Sequence, residues 1–190
     1  MNNVRETLTA VVFVKKSERF PGKHRALMNG VPIIDLVVSR LRNAKHVKRV
    51  LIYSRDPSVR SDLCHFQLDD TTGSIANSVL AALREFGDIF AIAGDMPCIS
   101  SEIVDSMAQT YGGISMVPVH NSGLIEPLHA IYTASTATFL RQNIEDGKLS
   151  LREYISMIPH QFYRISADQE KHFRNVNYLS DIPTTEDCSE

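Results

Sequence analysis

The sequence predicts an α/β fold of three layers, with helices on both faces of a mainly parallel sheet. Short apolar runs rich in β-branched residues alternate along the chain with amphipathic segments of helical length. The runs at Leu8–Val14 and 88–93 show no helical stripe, which is typical of parallel strands that are buried on both faces. Alternation of strands and helices indicates crossover connections, and these bring successive strands into one sheet.

The predicted strands are short and consist mainly of β-branched, aromatic and other apolar residues, the composition that strands favour. A basic loop follows the first strand, and helices or turns separate the others. In chain order the strands are expected at Leu8–Val14, 49–54, 65–68 (a buried strand), 88–93, 114–119, 128–132 and 161–165.

Two of the predicted helices have clear start signals. Pro32 precedes an amphipathic segment over Ile33–Asn43. Ser74 is a candidate N-cap for a helix over Ile75–Phe86, because a serine hydroxyl can accept a hydrogen bond from the first helical turn. Further helices are expected at 57–64, 101–111, 136–145 and 149–157.

Length and charge limit the classes of protein that this chain can represent. At 190 residues and 43% hydrophobic content, one domain over residues 1–182 is expected, followed by a disordered tail at 183–190. A net charge of −2 gives no bulk attraction to nucleic acid or to a membrane surface. No signal peptide precedes the first strand, and no apolar run approaches the roughly 18 residues that cross a bilayer.

The cysteines favour a reducing compartment. Cys64, Cys98 and Cys188 form no Cys-x-x-Cys pair, and three is an odd number. Cys98 is interpreted as a small apolar core residue. A cytoplasmic protein is therefore predicted.

One carboxylate lies where the predicted strand at 88–93 ends. Asp95 follows Gly94 directly, and Pro97 prevents both strand and helix from continuing. Ligands bind at the carboxyl ends of strands in open α/β sheets, so Asp95 is expected at the functional edge. A carboxylate there can hold Mg²⁺ against nucleotide phosphates. The alternative role for Asp95 is a turn residue that caps the next helix.

A basic loop follows the first strand, where α/β proteins commonly bind phosphate. Arg19 can offer a bidentate fork to phosphate oxygens, and Lys23 can offer a mobile point charge. Lys15, Lys16 and Arg25 add further positive charge. The alternative is a solvated basic loop. The chain contains neither a Walker loop nor a Gly-x-Gly-x-x-Gly fingerprint, which excludes two common nucleotide-binding classes.

Six short motifs occur in a fixed order along the chain. They are Ser-x-Arg-x-x-Gly-Lys at 17–23, Leu-x-x-Gly-x-Pro at 27–32, Gly-Asp-Met-Pro at 94–97, Glu-Pro-Leu-His-Ala-Ile-Tyr at 126–132, Gly-Lys-Leu-Ser-Leu-Arg at 147–152 and Phe-Arg-Asn-Val-Asn at 173–177 with Asp181. Each motif is weak alone, but their shared order is more specific. Taken together, they resemble the nucleotidyltransferases of glycosyltransferase-A-like (Rossmann-like) fold, and within them the molybdenum-cofactor guanylyltransferases.

The resemblance implies a reaction in which the phosphate of molybdopterin attacks the α-phosphate of MgGTP and expels pyrophosphate. It implies Asp95 as the Mg²⁺ ligand, and Arg19, Lys23 and Asp95 as catalytic residues. It also implies contacts with molybdoenzyme maturation proteins. The nucleotide-binding residues that it implies are Val14, Lys15, Lys16, Ser17, Arg19, Lys23, Arg25, Asp70, Gly73 and Asp95, and the acceptor-binding residues are Pro127, Leu128, Asn175 and Asn177.

One departure from the family leaves the base and the acceptor open. Family members begin the loop with Leu-Ala-Gly-Gly, where this chain has Phe-Val-Lys-Lys at 13–16. The stretch from Arg19 to Lys23 is instead similar to the CTP-using CMP-sugar synthetases, so a CTP-using transferase, including a molybdopterin cytidylyltransferase, is an alternative. The first helix is similar to that of adenosylcobinamide-phosphate guanylyltransferases. A non-catalytic nucleotide-binding domain is the remaining alternative.

Overall fold

A seven-stranded sheet forms the centre of the computed structural model, which describes residues 8–184 and 186–188. The strands of this sheet are β1 (Leu8–Val14), β4 (Val47–Ser54), β5 (His65–Leu68), β6 (Ile89–Ala93), β7 (Ser115–Val119), β8 (His129–Tyr132) and β9 (His160–Arg164). Their order in the sheet is β5-β4-β1-β6-β8-β7-β9.

The sheet is mainly parallel, as predicted. β1 pairs in parallel with both β4 and β6, so the carboxyl ends of these strands meet at one edge. β8 runs antiparallel to its two neighbours, β6 and β7. It therefore brings its amino end, rather than its carboxyl end, to the edge where β6 finishes.

Among the described residues, five α-helices cover the two faces of the sheet. They are α1 (Ile33–Asn43), α2 (Ile75–Phe86), α3 (Ser101–Thr110), α4 (Ala137–Glu145) and α5 (Leu151–Met157). None of the helices within the described ranges is long and apolar enough to cross a membrane.

Alternation along β1 divides the core between these two faces. Ala10 and Val12 pack with α1 and α3, whereas Val11 and Phe13 pack with α2, α4 and α5. This pattern arises because successive side chains of a strand point to opposite faces. The three-layer α/β/α prediction is thus confirmed, and the predicted N-cap Ser74 accepts from the amide of Ala76 at 3.2 Å.

Three local predictions need correction. No helix forms at 57–64, because side chains there bond to nearby backbone instead: Asp56 accepts from the Ser58 amide at 2.9 Å. β5 is not a buried strand, since it lies at the edge of the sheet and leaves Leu68 exposed. A ribbon of β2 (Leu27–Met28) and β3 (Val31–Pro32) was not predicted.

The end of the chain also differs from the sequence prediction. Within the predicted disordered tail 183–190, residues 183–184 and 186–188 are described, and Glu186–Cys188 forms a 3-10 turn. Cys188 is buried and forms a disulfide with Cys98, which is therefore more than an apolar core residue. Because two of the three cysteines are paired and Cys64 alone is free, the cysteine argument for a reducing compartment was wrong. Residues 185, 189 and 190 lie outside the described ranges.

Candidate active site

The candidate active site begins where β1 and β6 end side by side. The Gly94 amide donates to the carbonyl of Phe13 at 3.0 Å, so the loops after the two strands start in contact. A Cβ atom on residue 94 would lie 2.6 Å from Cγ2 of Val14. This close approach requires glycine, and it places Asp95 against the loop that follows β1.

Asp95 is mostly buried and forms an ion pair with Lys23. The Lys23 ammonium contacts Oδ2 of Asp95 and also donates to the carbonyl of Val176 at 3.2 Å. The backbone carbonyl of Asp95 accepts from the Val176 amide at 2.8 Å. Three distant segments of the chain therefore meet at this carboxylate, and each of them contains residues that the sequence assigned to the site.

The second carboxylate oxygen of Asp95 has features of a cation ligand. Oδ1 is buried, and no protein group within the described ranges bonds to it. A buried acceptor without a donor is rare and costs free energy unless a ligand satisfies it. No group of three or more metal-ligating side chains occurs among the described residues. This combination fits Mg²⁺, which commonly takes one or two carboxylates and obtains its other ligands from phosphates and water.

Two adjoining cavities open beside this carboxylate. The smaller, of about 220 Å³, lies against Asp95. The larger, of about 550 Å³, extends toward the carboxyl ends of β4 and β5. Both are lined by Phe13, Val14, Lys15, Lys16 and Ile75. The arrangement suits an elongated ligand with one end near Asp95 and the other near β4.

The predicted loop residues divide into two groups. Val14, Lys15, Lys16, Ser17 and Lys23 line the smaller cavity, as the nucleotide-binding assignment requires. Arg19 is exposed and is absent from the walls of the cavities described here. Arg25 is also exposed and borders a third cavity of about 200 Å³ on the outer side of the loop.

One wall of the larger cavity is polar, and the sequence predicted only part of it. Gly73 lines it as predicted, but the neighbouring carboxylate in the wall is Asp69, whereas Asp70 is exposed. Asp69 accepts from the hydroxyls of Thr71 and Ser78, each at 2.6 Å.

Arg55 completes this wall. Its Nε lies 3.3 Å from Oδ2 of Asp69, and its NH1 donates to the Gly73 carbonyl at 3.0 Å. Burial, then the charge of Arg55, lowers the pKa of Lys15, while Asp69 opposes the shift. Arg55 and Asp69 follow the carboxyl ends of β4 and β5, and that position was the signal that could have identified them.

His24 is another lining residue without a sequence assignment. It is buried in the loop, borders the smaller cavity, and has an Nε2 atom with no protein partner among the described residues. Burial, followed by the charge of Arg25, lowers the pKa of His24. The ring is therefore held toward its neutral form at the mouth of the cleft.

The segments assigned to the acceptor lie next to Asp95. The Pro127-Leu128 segment precedes β8, which is on the side of β6 away from β4. Leu128 lines the smaller cavity, and the carbonyl of Pro127 accepts from the Tyr132 hydroxyl at 2.8 Å. Asn175 and Asn177 are exposed on either side of the buried Val176. Both asparagines adjoin Val176, whose amide bonds to the carbonyl of Asp95, the candidate cation ligand.

Most of the chain is similar to known proteins. A sequence model for the MobA-like NTP transferase domain matches residues 16–161. A Pyrococcus horikoshii protein named probable molybdenum cofactor guanylyltransferase is 29% identical over 186 residues, covering 92% of this chain and 96% of its own. A Thermococcus gammatolerans protein of the same name is 30% identical over 183 residues, covering 91% and 95%.

Solved structures share the fold. Molybdopterin-guanine dinucleotide biosynthesis protein A from Archaeoglobus fulgidus superimposes with a TM-score of 0.75 at 23% identity, covering 92% of this chain and 95% of that one. A CMP:2-keto-3-deoxy-manno-octonic acid synthetase in complex with CTP superimposes with a TM-score of 0.70 at 14% identity, with the same coverage.

Proposed function

This chain belongs to the family of MobA-like NTP transferases, and on that premise we propose that it transfers GMP from GTP to the terminal phosphate of molybdopterin. An acceptor phosphate oxygen attacks the α-phosphorus, and a new phosphoanhydride bond forms. The bond from the α-phosphorus to the bridging oxygen breaks, and its electron pair leaves with pyrophosphate. The chain is an enzyme that needs no covalent nucleophile for this chemistry.

The observation that carries the proposal is the buried, unpartnered Oδ1 of Asp95 at the end of a two-part cleft. Asp95 would hold Mg²⁺, which when bound offsets the negative charge of the phosphates. The side chain itself is oriented by Lys23 and by the Val176 amide, which fixes the backbone of the same residue. The carboxylate is thus positioned before any ligand arrives.

Lysine side chains of the loop after β1 would bind the triphosphate. Lys15, Lys16 and Lys23 all border the smaller cavity, within reach of a phosphate placed beside Asp95. Flexible ammonium groups replace the close backbone approach that glycines would allow at positions 15 and 16. The larger cavity would take the nucleoside, with Phe13, Tyr53 and Ile75 supplying apolar surface for the base.

GTP is the proposed donor because the curated relatives carry the guanylyltransferase name. CTP is the second candidate, and one observation favours it. Lys23 follows Pro21 and Gly22 in the manner of the CMP-sugar synthetases, and it is this lysine that contacts Asp95. The similarity to the CTP-bound synthetase is a similarity of fold and does not bear on the choice of base.

Pyrophosphate release tests the proposal directly. Purified protein is incubated with MgGTP or MgCTP, each with and without molybdopterin, and with EDTA in a parallel reaction. We expect release only with MgGTP, molybdopterin and free Mg²⁺ present together. Release with MgCTP instead would establish the CTP-using alternative. Binding of nucleotide without release under any condition would establish a non-catalytic domain. Cytoplasmic location and contacts with molybdoenzyme maturation proteins are part of the same proposal.

A further inference from the structure

His120 joins two segments of the chain that are far apart in sequence. It lies directly after β7, and both nitrogens of its ring face carboxylates. Nε2 lies 2.9 Å from Oε1 of Glu126, and Nδ1 lies 2.5 Å from Oε2 of Glu170. Glu126 belongs to the turn before β8, whereas Glu170 begins the 3-10 turn Glu170–Phe173. A single imidazole therefore connects the two.

Each of these segments continues directly to the end of β6. Two residues after Glu126, the carbonyl of Leu128 accepts from the Ala93 amide at 3.1 Å. Six residues after Glu170, the Val176 amide donates to the carbonyl of Asp95 at 2.8 Å. His120 therefore links the outer parts of two segments whose inner parts flank the candidate cation ligand.

We propose that His120 is a positioning residue for the phosphorylated acceptor, because it holds together the two segments that form the acceptor side of the cleft. The inference rests on the proposed function, since the acceptor role of these segments comes from it. His120 touches no reacting atom in this proposal. It acts through Glu126 and Glu170, which set the separation between the segments at 126–128 and 170–177.

An aromatic contact makes this link rigid. The ring of Phe173 lies edge-on to His120, with centroids 5.9 Å apart, and packs against the buried ring of His129 at 4.3 Å. Phe173 therefore fixes the 3-10 turn from which Glu170 projects. Because Glu170 is held in this way, the turn alone cannot move to compensate for a change in the charge of His120.

The link depends on the protonation of His120. The imidazolium donates from both nitrogens, whereas the neutral ring has one N–H and can donate to only one carboxylate. Burial lowers the pKa of His120, but hydrogen bonds and charges from Glu126 and Glu170 outweigh it and raise the pKa above 6.5. These two carboxylates are the charged groups that face the ring. The link is complete below about pH 6.5 and is lost as pH rises through the raised pKa.

The test uses variants at two histidines with similar surroundings. His120→Gln removes the double link. His46→Gln is the matched control, because His46 is also buried and its Nδ1 bonds Oδ1 of Asp105 at 2.9 Å, but it precedes β4 in the other half of the sheet. Glu170→Gln keeps a hydrogen-bonding partner and removes one of the charges that raise the pKa of His120.

Amide hydrogen exchange measures the link without any substrate. We expect exchange at 122–128 and 170–177 to rise about tenfold in His120→Gln, and to rise in the wild type between about pH 6 and about pH 9 after correction for intrinsic rates. Glu170→Gln should move this transition to lower pH. His46→Gln should leave both segments unchanged. Equal exchange in His120→Gln and the wild type would overturn the proposal.

Steady-state kinetics with molybdopterin and saturating MgGTP measures the positioning. His120→Gln should raise the KM for molybdopterin about tenfold with kcat changed less than twofold, whereas His46→Gln should change neither. A fall in kcat at unchanged KM would overturn the positioning role. If the wild type releases no pyrophosphate, the proposed function and the acceptor role both fail, while the exchange result still decides whether His120 links the segments.

Discussion

The two halves of the sheet differ in what their charged side chains contact. On the β5-β4-β1-β6 side, parallel strands end in loops that present Lys15 and Lys16 to open cavities. On the β8-β7-β9 side, the acidic residues Glu126 and Glu170 both bond to His120 inside the protein. The difference suggests that the first half uses charge to bind a polyanion, whereas the second half uses charge to hold its own shape.

Shifts in pKa follow the same division. Burial, then the charge of Arg55, lowers the pKa of Lys15, and the charge of Asp69 only partly offsets them. Carboxylates raise the pKa of His120 despite its burial. A phosphate that binds beside Lys15 would reverse the first shift, since a negative charge favours the ammonium form. Asp95 lies between the halves and contacts both of them.

The largest effect is expected at the junction of the halves. Asp95→Asn retains the shape of the side chain but removes the charge that would hold Mg²⁺. Turnover should fall at least about 100-fold, or near 3 kcal/mol. The free energy of unfolding should change by about 1 kcal/mol, because the amide can still accept from Lys23. Pyrophosphate release and urea denaturation together measure both quantities.

Asp88 provides the control for this change. It lies directly before the amino end of β6, whereas Asp95 follows the carboxyl end. Its Oδ1 accepts from the Ala134 amide at 2.7 Å. Asp88→Asn should reduce stability without affecting turnover. If the Asp95 variant retained wild-type activity and Mg²⁺ dependence, Asp95 would be a turn residue, and the two halves would share no catalytic group.

Lys23→Ala should have the next largest effect, mainly on the nucleotide, although it also removes the bond to the Val176 carbonyl in the other half. We expect kcat/KM for the nucleotide to fall tenfold to a thousandfold, if the ammonium supplies about 1.4 to 4 kcal/mol of charge stabilisation. KM for molybdopterin should change little. Arg19→Ala should cost less than about tenfold, because Arg19 is exposed and outside the cavity walls. Equal losses for the two variants would show that general loop charge, rather than position, binds the triphosphate.

Arg55→Met should have a smaller effect than Asp95→Asn or Lys23→Ala. Losing the contacts with Asp69 and Gly73 should loosen the wall of the larger cavity and raise the KM for nucleotide about threefold to tenfold, with kcat unchanged. Arg60→Met is the control. Arg60 lies in the same connection, but its guanidinium stacks over Phe66 at 4.6 Å and is absent from the cavity wall. A change in molybdopterin KM with Arg55→Met would mean that the halves are not independent.

Local pattern was sufficient for most of the fold. β1, α1 and α2 have the predicted bounds, because periodicity and capping residues act within a few positions of one another. The segment at 57–64 was misassigned for a local reason too, since Asp56 and Ser61 bond to the adjacent backbone.

Site residues that depend on long-range packing were harder to predict. Asp95 could be identified because it directly follows a recognisable strand. The choice between Asp69 and Asp70 depends on the register of β5 against β4, which no short motif encodes. His120 meets Glu170 across 50 positions, and Cys98 meets Cys188 across 90. Neither spacing indicates a contact.

The Cys98–Cys188 disulfide divides the unfolded chain into a ring and an arm, and these correspond to the two halves of the sheet. It closes a covalent ring that contains α3, β7, β8, α4, α5 and β9, whereas β1, β4, β5 and β6 form a linear arm outside it. By loop-closure entropy, a ring of this size destabilises the unfolded ensemble by about 4 to 5 kcal/mol. The oxidised chain in denaturant is therefore tadpole-shaped. It should migrate faster on a non-reducing gel than the reduced chain, and reduction should enlarge only the head.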